Sequence, residues 1–315
     1  MKSLRIIFMG TPEFATASLA KILTEEYQVV GVITAPDRPA GRGRKLQESD
    51  VKKFAVSKGL KVLQPVNLKD RDFLSELKAL NADLQIVVAF RMLPRAVWSM
   101  PDLGTFNLHA SLLPDYRGAA PINWAIINGE TKTGATTFFI DEKIDTGEII
   151  LQEPLKISEN ETAGNLHDRL MHLGADLVLK TVREIEAGKV MPRKQKQPSP
   201  LKTAPKIHRD TCEIDWNASL ETIHNKIRGL SPYPTAWTTL INGNESTQLK
   251  IYGSSVEKAS HNEEIGSVLA NDNHLKIAVE NGFVELLEIQ LPGKRKMRTK
   301  ALLNGFHFEE NARVR

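Results

Sequence analysis

The feature that most constrains this chain is how its first third alternates. Residues 4–9 (Leu-Arg-Ile-Ile-Phe-Met) form a short, nearly unbroken apolar run. Such a run reads as a strand covered on both faces, the kind found in parallel sheets. Gly10-Thr11-Pro12-Glu13 then opens a helix, with Thr11 as N-cap, Pro12 at the first helical position and Glu13 near the positive helix end. Phe14, Ala17, Leu19 and Ile22 face the sheet, and residues 28–34 form a second strand. Parallel strands need a crossover of this length, so the opening is a β-α-β unit and the fold class is α/β with a Rossmann-like start. No Gly-x-Gly-x-x-Gly follows the first strand, which argues against a dinucleotide site. Further helices are predicted at 51–58 and 70–80, a short strand near Val62 and a central strand at 84–89.

Polar groups gather where such sheets carry their chemistry, at the carboxyl ends of strands. The strand predicted at 105–109 ends in Asn107 and His109, two residues apart and therefore on one face. The chain breaks at Pro114 and Gly118 and enters a helix at Pro121. Strands at 136–140 and 149–155 enclose Asp145-Thr146-Gly147, a turn-like sequence. A longer helix is predicted from 163 to 187, stopped by Gly188.

Composition changes at residue 189. Residues 189–209 hold seven Lys or Arg, four Pro and no acidic residue, which predicts a stiff basic linker. Beyond it come a helix at 220–228 closed by Gly229 and short strands at 236–241, 249–252, 266–269, 275–279 and 283–289. Asn242-Gly243 and Asn281-Gly282 are hairpin turn signals. That pattern suggests a small β-barrel, the oligonucleotide-binding (OB-like) type being one candidate. The expected domains are therefore 1–188 (catalytic), 189–209 (linker) and 210–315 (barrel).

The net charge is +4 with the basic residues clumped, which hints at a polyanionic partner. One clump lies in the loop predicted at 35–46 and carries Arg38, Arg42, Arg44 and Lys45. It reads either as a solvated surface loop or as a basic finger gripping phosphates. Cys212 is the only cysteine, so no intrachain disulfide and no Cys-based zinc site is possible. That usage fits a reducing cytoplasm. No run approaches the ~18 apolar residues of a spanning helix, and no membrane association is expected.

Taken as chemistry, Asn107, His109 and Asp145 suit attack on a carbonyl. An amide and a protonated imidazole can donate to a developing oxyanion. A carboxylate beside the imidazole orients it and can relay a proton through water. Ser111 has no nucleophile-elbow context and the cysteine is remote in sequence, so direct attack by an amine or water fits better than a covalent enzyme intermediate. The alternative is that Asn107 and His109 only satisfy loop backbone.

The joint set Asn107-x-His109-x-Ser111-Leu112-Leu113-Pro114, Arg117-Gly118 and Asp145-Thr146-Gly147 resembles the signature of the 10-formyltetrahydrofolate-dependent formyltransferases. Three further stretches resemble the branch that acts on methionyl-initiator tRNA. They are residues 8–14 (Phe-Met-Gly-Thr-Pro-Glu-Phe), 38–43 (Arg-Pro-Ala-Gly-Arg-Gly) and 231–237 (Ser-Pro-Tyr-Pro-Thr-Ala-Trp). The likeness runs from about residue 4 to 305. It implies a Rossmann-like formyltransferase domain followed by an OB-like barrel, with Asn107, His109 and Asp145 catalytic. It implies a folate site formed by Ser111, Leu112, Leu113 and Pro114, with Phe90, Arg91, Met92, Leu93, Asp141 and Ile144 holding the pterin. It further implies tRNA contacts from Arg38, Arg42, Arg44, Lys45, Lys194, Lys206, Lys294, Arg295 and Lys296. 10-Formyltetrahydrofolate would be the formyl donor with no metal, and the enzyme a cytoplasmic monomer. This chain reads Phe90-Arg91-Met92 where the family often has a Gly and an aliphatic residue, and Ala110 where a Gly is frequent.

Three rival readings remain on sequence alone: formyl transfer to a small amine, hydrolysis of formyl-folate, and an RNA-binding protein with an inactive first half. The basic clumps and the barrel argue against the first, the intact trio against the last.

Overall fold

A computed structural model describes residues 3–40, 45–196 and 200–315. Contacts divide the chain into two compact units assembled from several stretches. One comprises Met1–Gly118, Thr133–Leu155 and His167–Thr203; the other comprises Ala119–Lys132, Lys156–Leu166 and Ala204–Arg315.

The first unit is built on a seven-stranded sheet. Its order is Ile149–Lys156, Lys132–Phe139, Thr105–His109, Leu84–Val88, Arg5–Gly10, Gln28–Ile33 and Val62–Leu63. The five strands from Thr105–His109 to Val62–Leu63 pair in parallel, while Lys132–Phe139 runs antiparallel to Thr105–His109. The central strand Leu84–Val88 is buried at every residue, the expected consequence of helices on both faces of a parallel sheet. One face packs Ile7, Met9, Ile33 and Val87 against Phe73, Leu77 and Val97 in a single apolar cluster.

Three local expectations are corrected. The first helix begins at Glu13 with Pro12 as N-cap and no side-chain cap; Thr11 lies outside it, because Pro12 supplies the extended entry itself. Residues 35–46 are not a plain loop: Arg38–Ala40 pairs antiparallel with Lys45–Gln47. Beside that strand pair, Asp37 accepts from Lys52 and, at 2.8 Å, from Gln64. These partners hold the Asp37 carboxyl below its usual range, the Lys52 ammonium foremost. Third, Gly229 does not end its helix, which runs Leu220–Leu230. A Cβ there would stand 3.0 Å from the Ile127 nitrogen and 2.7 Å from its Cγ1. The glycine therefore serves close packing against Pro121–Ile127 rather than a C-cap.

The second unit is an antiparallel, nearly closed barrel. Its order is Val268–Ala270, Leu275–Val279, Gly282–Gln290, Glu245–Lys258, Ala236–Asn242 and Arg313–Val314. The ends are brought together by a bridge between Ser267 and Arg313, with the Val314 amide donating to the Gly266 carbonyl at 2.8 Å. Closure removes the open edges that a sheet this short would otherwise present. The 14-residue strand Glu245–Lys258 bends at register shifts around Gly253. Its core joins Leu240, Leu249, Ile251, Val284 and Ile289 to Trp216, Ile223 and Ile227. Among the described residues no helix is long and apolar enough to cross a membrane.

Candidate active site

The site sits at the carboxyl end of Thr105–His109. Parallel pairing of Val87 with Asn107 on one side and antiparallel pairing of His109 with Thr136 on the other fix this strand end. Asn107 and His109 leave on the same side, as period-2 geometry requires. His109 is buried and Asn107 half-buried. The Asn107 amide makes no side-chain hydrogen bond among the described residues. The amide keeps access to solvent and is open to a ligand at the strand end.

The segment after the strand folds back over the imidazole. The Thr136 hydroxyl donates to the Ser111 carbonyl at 2.6 Å and accepts from the Leu113 amide at 3.1 Å. Gln152 donates to the Leu113 carbonyl at 2.9 Å. Held this way, the segment brings the Tyr116 carbonyl to 2.8 Å from His109 Nε2. A carbonyl only accepts, so Nε2 carries a proton.

The other ring nitrogen faces a carboxylate: Nδ1 lies 3.7 Å from Asp145 Oδ2, with side-chain exposures of 7% for His109 and 12% for Asp145. That gap exceeds a hydrogen bond but keeps the pair within ionic range. Nε2 is thus engaged by the Tyr116 carbonyl, while Nδ1 makes no hydrogen bond among the described residues. Asp145 Oδ2 also accepts from the Gly118 amide at 3.0 Å, while no hydrogen bond reaches Oδ1 among the described residues.

The loop carrying Asp145 is bounded by the Phe139 amide donating to the Glu148 carbonyl at 2.9 Å. Asp145 has φ +54°, a left-handed conformation that a non-glycine residue adopts at some cost. At Gly147 a Cβ would fall 1.6 Å from the Phe139 carbonyl oxygen, so only glycine fits. The Asp141 carboxylate accepts from the Lys143 amide at 2.9 Å and the Thr146 hydroxyl at 2.8 Å, shaping the same loop.

The expected folate residues divide into two groups. Some have their side chains engaged inside the fold. The Ser111 hydroxyl donates to the Asp115 carbonyl at 2.6 Å, and Leu113 packs with Phe138 and Ile149. Leu93 is in the core. Arg91 donates to the Pro65 and Val66 carbonyls at 2.7 and 3.0 Å and lies over the Phe90 ring; burial, then Arg38, depresses its guanidinium pKa. Others remain open: Met92 is 68% exposed and Ile144 61%. A solvent-exposed Arg95–Glu142 ion pair at 3.4 Å links the helix that follows Met92 with the loop that carries Ile144.

Of the expected tRNA residues, Arg38, Lys194, Lys206, Lys294, Arg295 and Lys296 are exposed. Lys296 pairs with Glu288 at 2.9 Å and covers the Tyr252 ring. Arg42 and Arg44 lie outside the described residues, as does the Lys45 side chain. Sequence reasoning missed Tyr116 and Gln195. The first acts through its carbonyl, which carries no residue-type signal; the second sits in a stretch notable only for charge.

Comparison with known proteins bears on this geometry. Residues 4–182 match the family model described as formyl transferase, and residues 206–307 match the formyl transferase C-terminal domain. The chain is 57% identical over 314 residues to the methionyl-tRNA formyltransferase of Flavobacterium johnsoniae, covering 100% of both. It is 52% identical to that of Bacteroides fragilis, over 98% of this chain and 97% of the relative. Among solved structures, an N-formyltransferase from Helicobacter canadensis in complex with folinic acid and dTDP-3-aminofucose superposes with TM-score 0.67 at 22% identity. That match covers 90% of this chain and 98% of the other. HypX from Aquifex aeolicus in complex with tetrahydrofolic acid gives TM-score 0.63 at 18% identity, over 96% of this chain and 47% of the other. At these identities the structural likeness shows the fold.

Proposed function

The chain belongs to the formyl transferase family, and on that premise we propose that it moves the formyl group of 10-formyltetrahydrofolate to the α-amine of methionine esterified to initiator tRNA. Relatives above 50% identity over essentially the whole chain carry the name of that activity. The observation that carries the chemistry is the open Asn107 amide on the same strand face as the His109–Asp145 pair.

The steps follow from these groups. The amine lone pair attacks the formyl carbon, forming the new C–N bond and moving the carbonyl π pair onto oxygen. The Asn107 amide and the His109 Nδ1–H donate to that oxyanion. The 3.7 Å gap between His109 and Asp145 leaves that N–H available rather than locked to the carboxylate. Asp145 Oδ1, which has no hydrogen-bond partner among the described residues, takes the proton the amine sheds, directly or through a water. Oδ2 stays held by the Gly118 amide. Collapse of the tetrahedral species breaks the bond to N10, and the folate nitrogen leaves with a proton returned from the site.

The formyl donor has a flat pteridine ring, and the exposed apolar side chains of Met92 and Ile144 would lie against it. Arg91 acts behind that wall by pinning the loop at Pro65–Val66 rather than by touching the ring. Leu112 and loop backbone, not the Ser111 hydroxyl, would meet the donor. The basic residues Arg38, Arg42, Arg44 and Lys45, together with Lys194, Lys206, Lys294, Arg295 and Lys296, would follow tRNA phosphates. We assign catalysis to residues 1–188 and tRNA binding to the basic segment at 38–45, the linker and the barrel, in a cytoplasmic monomer.

The test is turnover with methionyl-initiator tRNA and 10-formyltetrahydrofolate. Formyl-methionyl-tRNA is the expected product; its absence, or formate release that does not need the tRNA, overturns the proposal.

A further inference from the structure

The geometry points to Gln195 as a positioning residue for the catalytic pair, an inference that rests on the roles given above to His109 and Asp145. Its amide is used to capacity. Nε2 donates to the Asp145 carbonyl at 3.0 Å and to the Gly147 carbonyl at 2.8 Å. Oε1 accepts from Arg117 Nε at 3.2 Å and Nη2 at 2.6 Å. Two donors and two acceptor sites are all a carboxamide has.

What these four bonds join is specific. Arg117 lies between Tyr116, whose carbonyl holds His109 Nε2, and Gly118, whose amide holds Asp145 Oδ2. Asp145 and Gly147 are the left-handed corner and the tight glycine of the opposite loop. Gln195 thus clips together the two segments whose spacing sets the distance between Nδ1 and the carboxylate. Gln195 is itself anchored. Two residues earlier, Arg193 and Ile149 exchange both backbone hydrogen bonds, at 2.9 and 2.8 Å. The residue touches no reacting atom and acts through Asp145 and His109.

Chemistry predicts which replacements fail. Glu keeps an acceptor for Arg117 but sets a charged oxygen against two carbonyls. Ala removes all four bonds. A shift of the loop by a fraction of an ångström detunes the pair without removing a substrate contact.

The experiment measures kcat, both KM values and the pH profile of kcat for wild type and the Q195A, Q195E, R117A, Q195A/R117A and D145N variants, each checked for folding by circular dichroism. The expected result is a kcat lowered about 10–100-fold in Q195A and at least as much in Q195E. Both KM values should stay within about twofold, the kcat profile should move along the pH axis, and the double variant should be no worse than Q195A. Should Q195A fail to fold, R117K, which breaks the two-pronged contact but keeps the charge, must give the same signature. A D145N variant that collapses beside a Q195A with wild-type kcat and pH profile overturns the positioning role alone. A D145N variant with wild-type turnover overturns the catalytic reading beneath it.

Discussion

Asp145 and Gly118 are joined by one hydrogen bond, from the glycine amide to carboxylate Oδ2 at 3.0 Å, and that same oxygen stands 3.7 Å from His109 Nδ1. A backbone donor thus aims the carboxylate at the imidazole while leaving its second oxygen free. Replacing Asp145 by Asn preserves shape and can still accept from Gly118, but removes the charge and the proton acceptor. Single-turnover formylation should slow by about 10²–10⁴-fold, while tRNA affinity measured by filter binding changes less than about twofold. A large affinity loss would place the carboxylate in binding rather than chemistry.

Asn107 is expected to act only when charge develops on the formyl oxygen. Asn107→Ala should lower kcat by about 10²–10³-fold, or roughly 3–4 kcal/mol of barrier, with KM for both substrates little changed. A rise in KM at constant kcat would make the amide a ground-state contact.

Gly147 tolerates no side chain, because its Cβ would meet the Phe139 carbonyl oxygen at 1.6 Å. Gly147→Ala must displace the loop that carries Asp145. The expected loss is about 1–3 kcal/mol of stability by denaturant titration together with near-complete loss of turnover. Full activity would mean the loop can relocate without disturbing Asp145.

Binding of tRNA should be steeply salt-dependent. Lys294 and Arg295 are exposed and make no ion pair among the described residues, whereas Lys296 is already paired with Glu288. Removing Lys294 and Arg295 together should reduce the slope of log K against log salt by about 1–2. Removing Lys296 should change it less, since its charge is partly neutralised. An unchanged slope in the double variant would remove this cluster from the interface.

His224 makes stability depend on pH. Its Nε2 lies 3.2 Å from Asn160 Oδ1 and its Nδ1 3.0 Å from the Ser254 hydroxyl, a pattern met by the neutral ring. Burial first, then the Arg228 charge, lowers its pKa, with Glu159 opposing. The unfolded chain therefore binds a proton before the folded one does. Stability from this group is present above about pH 6.5 and is lost as pH falls through the folded pKa. His224→Gln should flatten the thermal midpoint between pH 7.5 and 5; an unaltered slope would assign the pH dependence to other groups.

Local rules fixed much of this protein in its amino-acid order. Short apolar runs such as residues 84–88 read as buried strands, and the one polar residue there, Gln85, is satisfied inside the sheet by the Thr105 hydroxyl. Both hairpins signalled by Asn-Gly form, but their two-residue loops are Gly243-Asn244 and Glu280-Asn281, one position away from the pairs at 242–243 and 281–282. Residue types and spacing drew attention to Asn107, His109 and Asp145 as a group, and the structure brings His109 and Asp145 to 3.7 Å.

Tertiary structure alone decided what those groups touch. Which His109 nitrogen meets a carbonyl depends on Tyr116 returning across the strand end, and a backbone oxygen leaves no mark in a sequence. Arg91 turning to Pro65 and Val66, Ser111 turning to Asp115, and Gln195 reaching Asp145 across 50 positions are long-range or loop-internal hydrogen bonds. Their partners are chosen by where the folded chain brings its carbonyls, because an unmet buried polar group costs more than the local preference of any side chain.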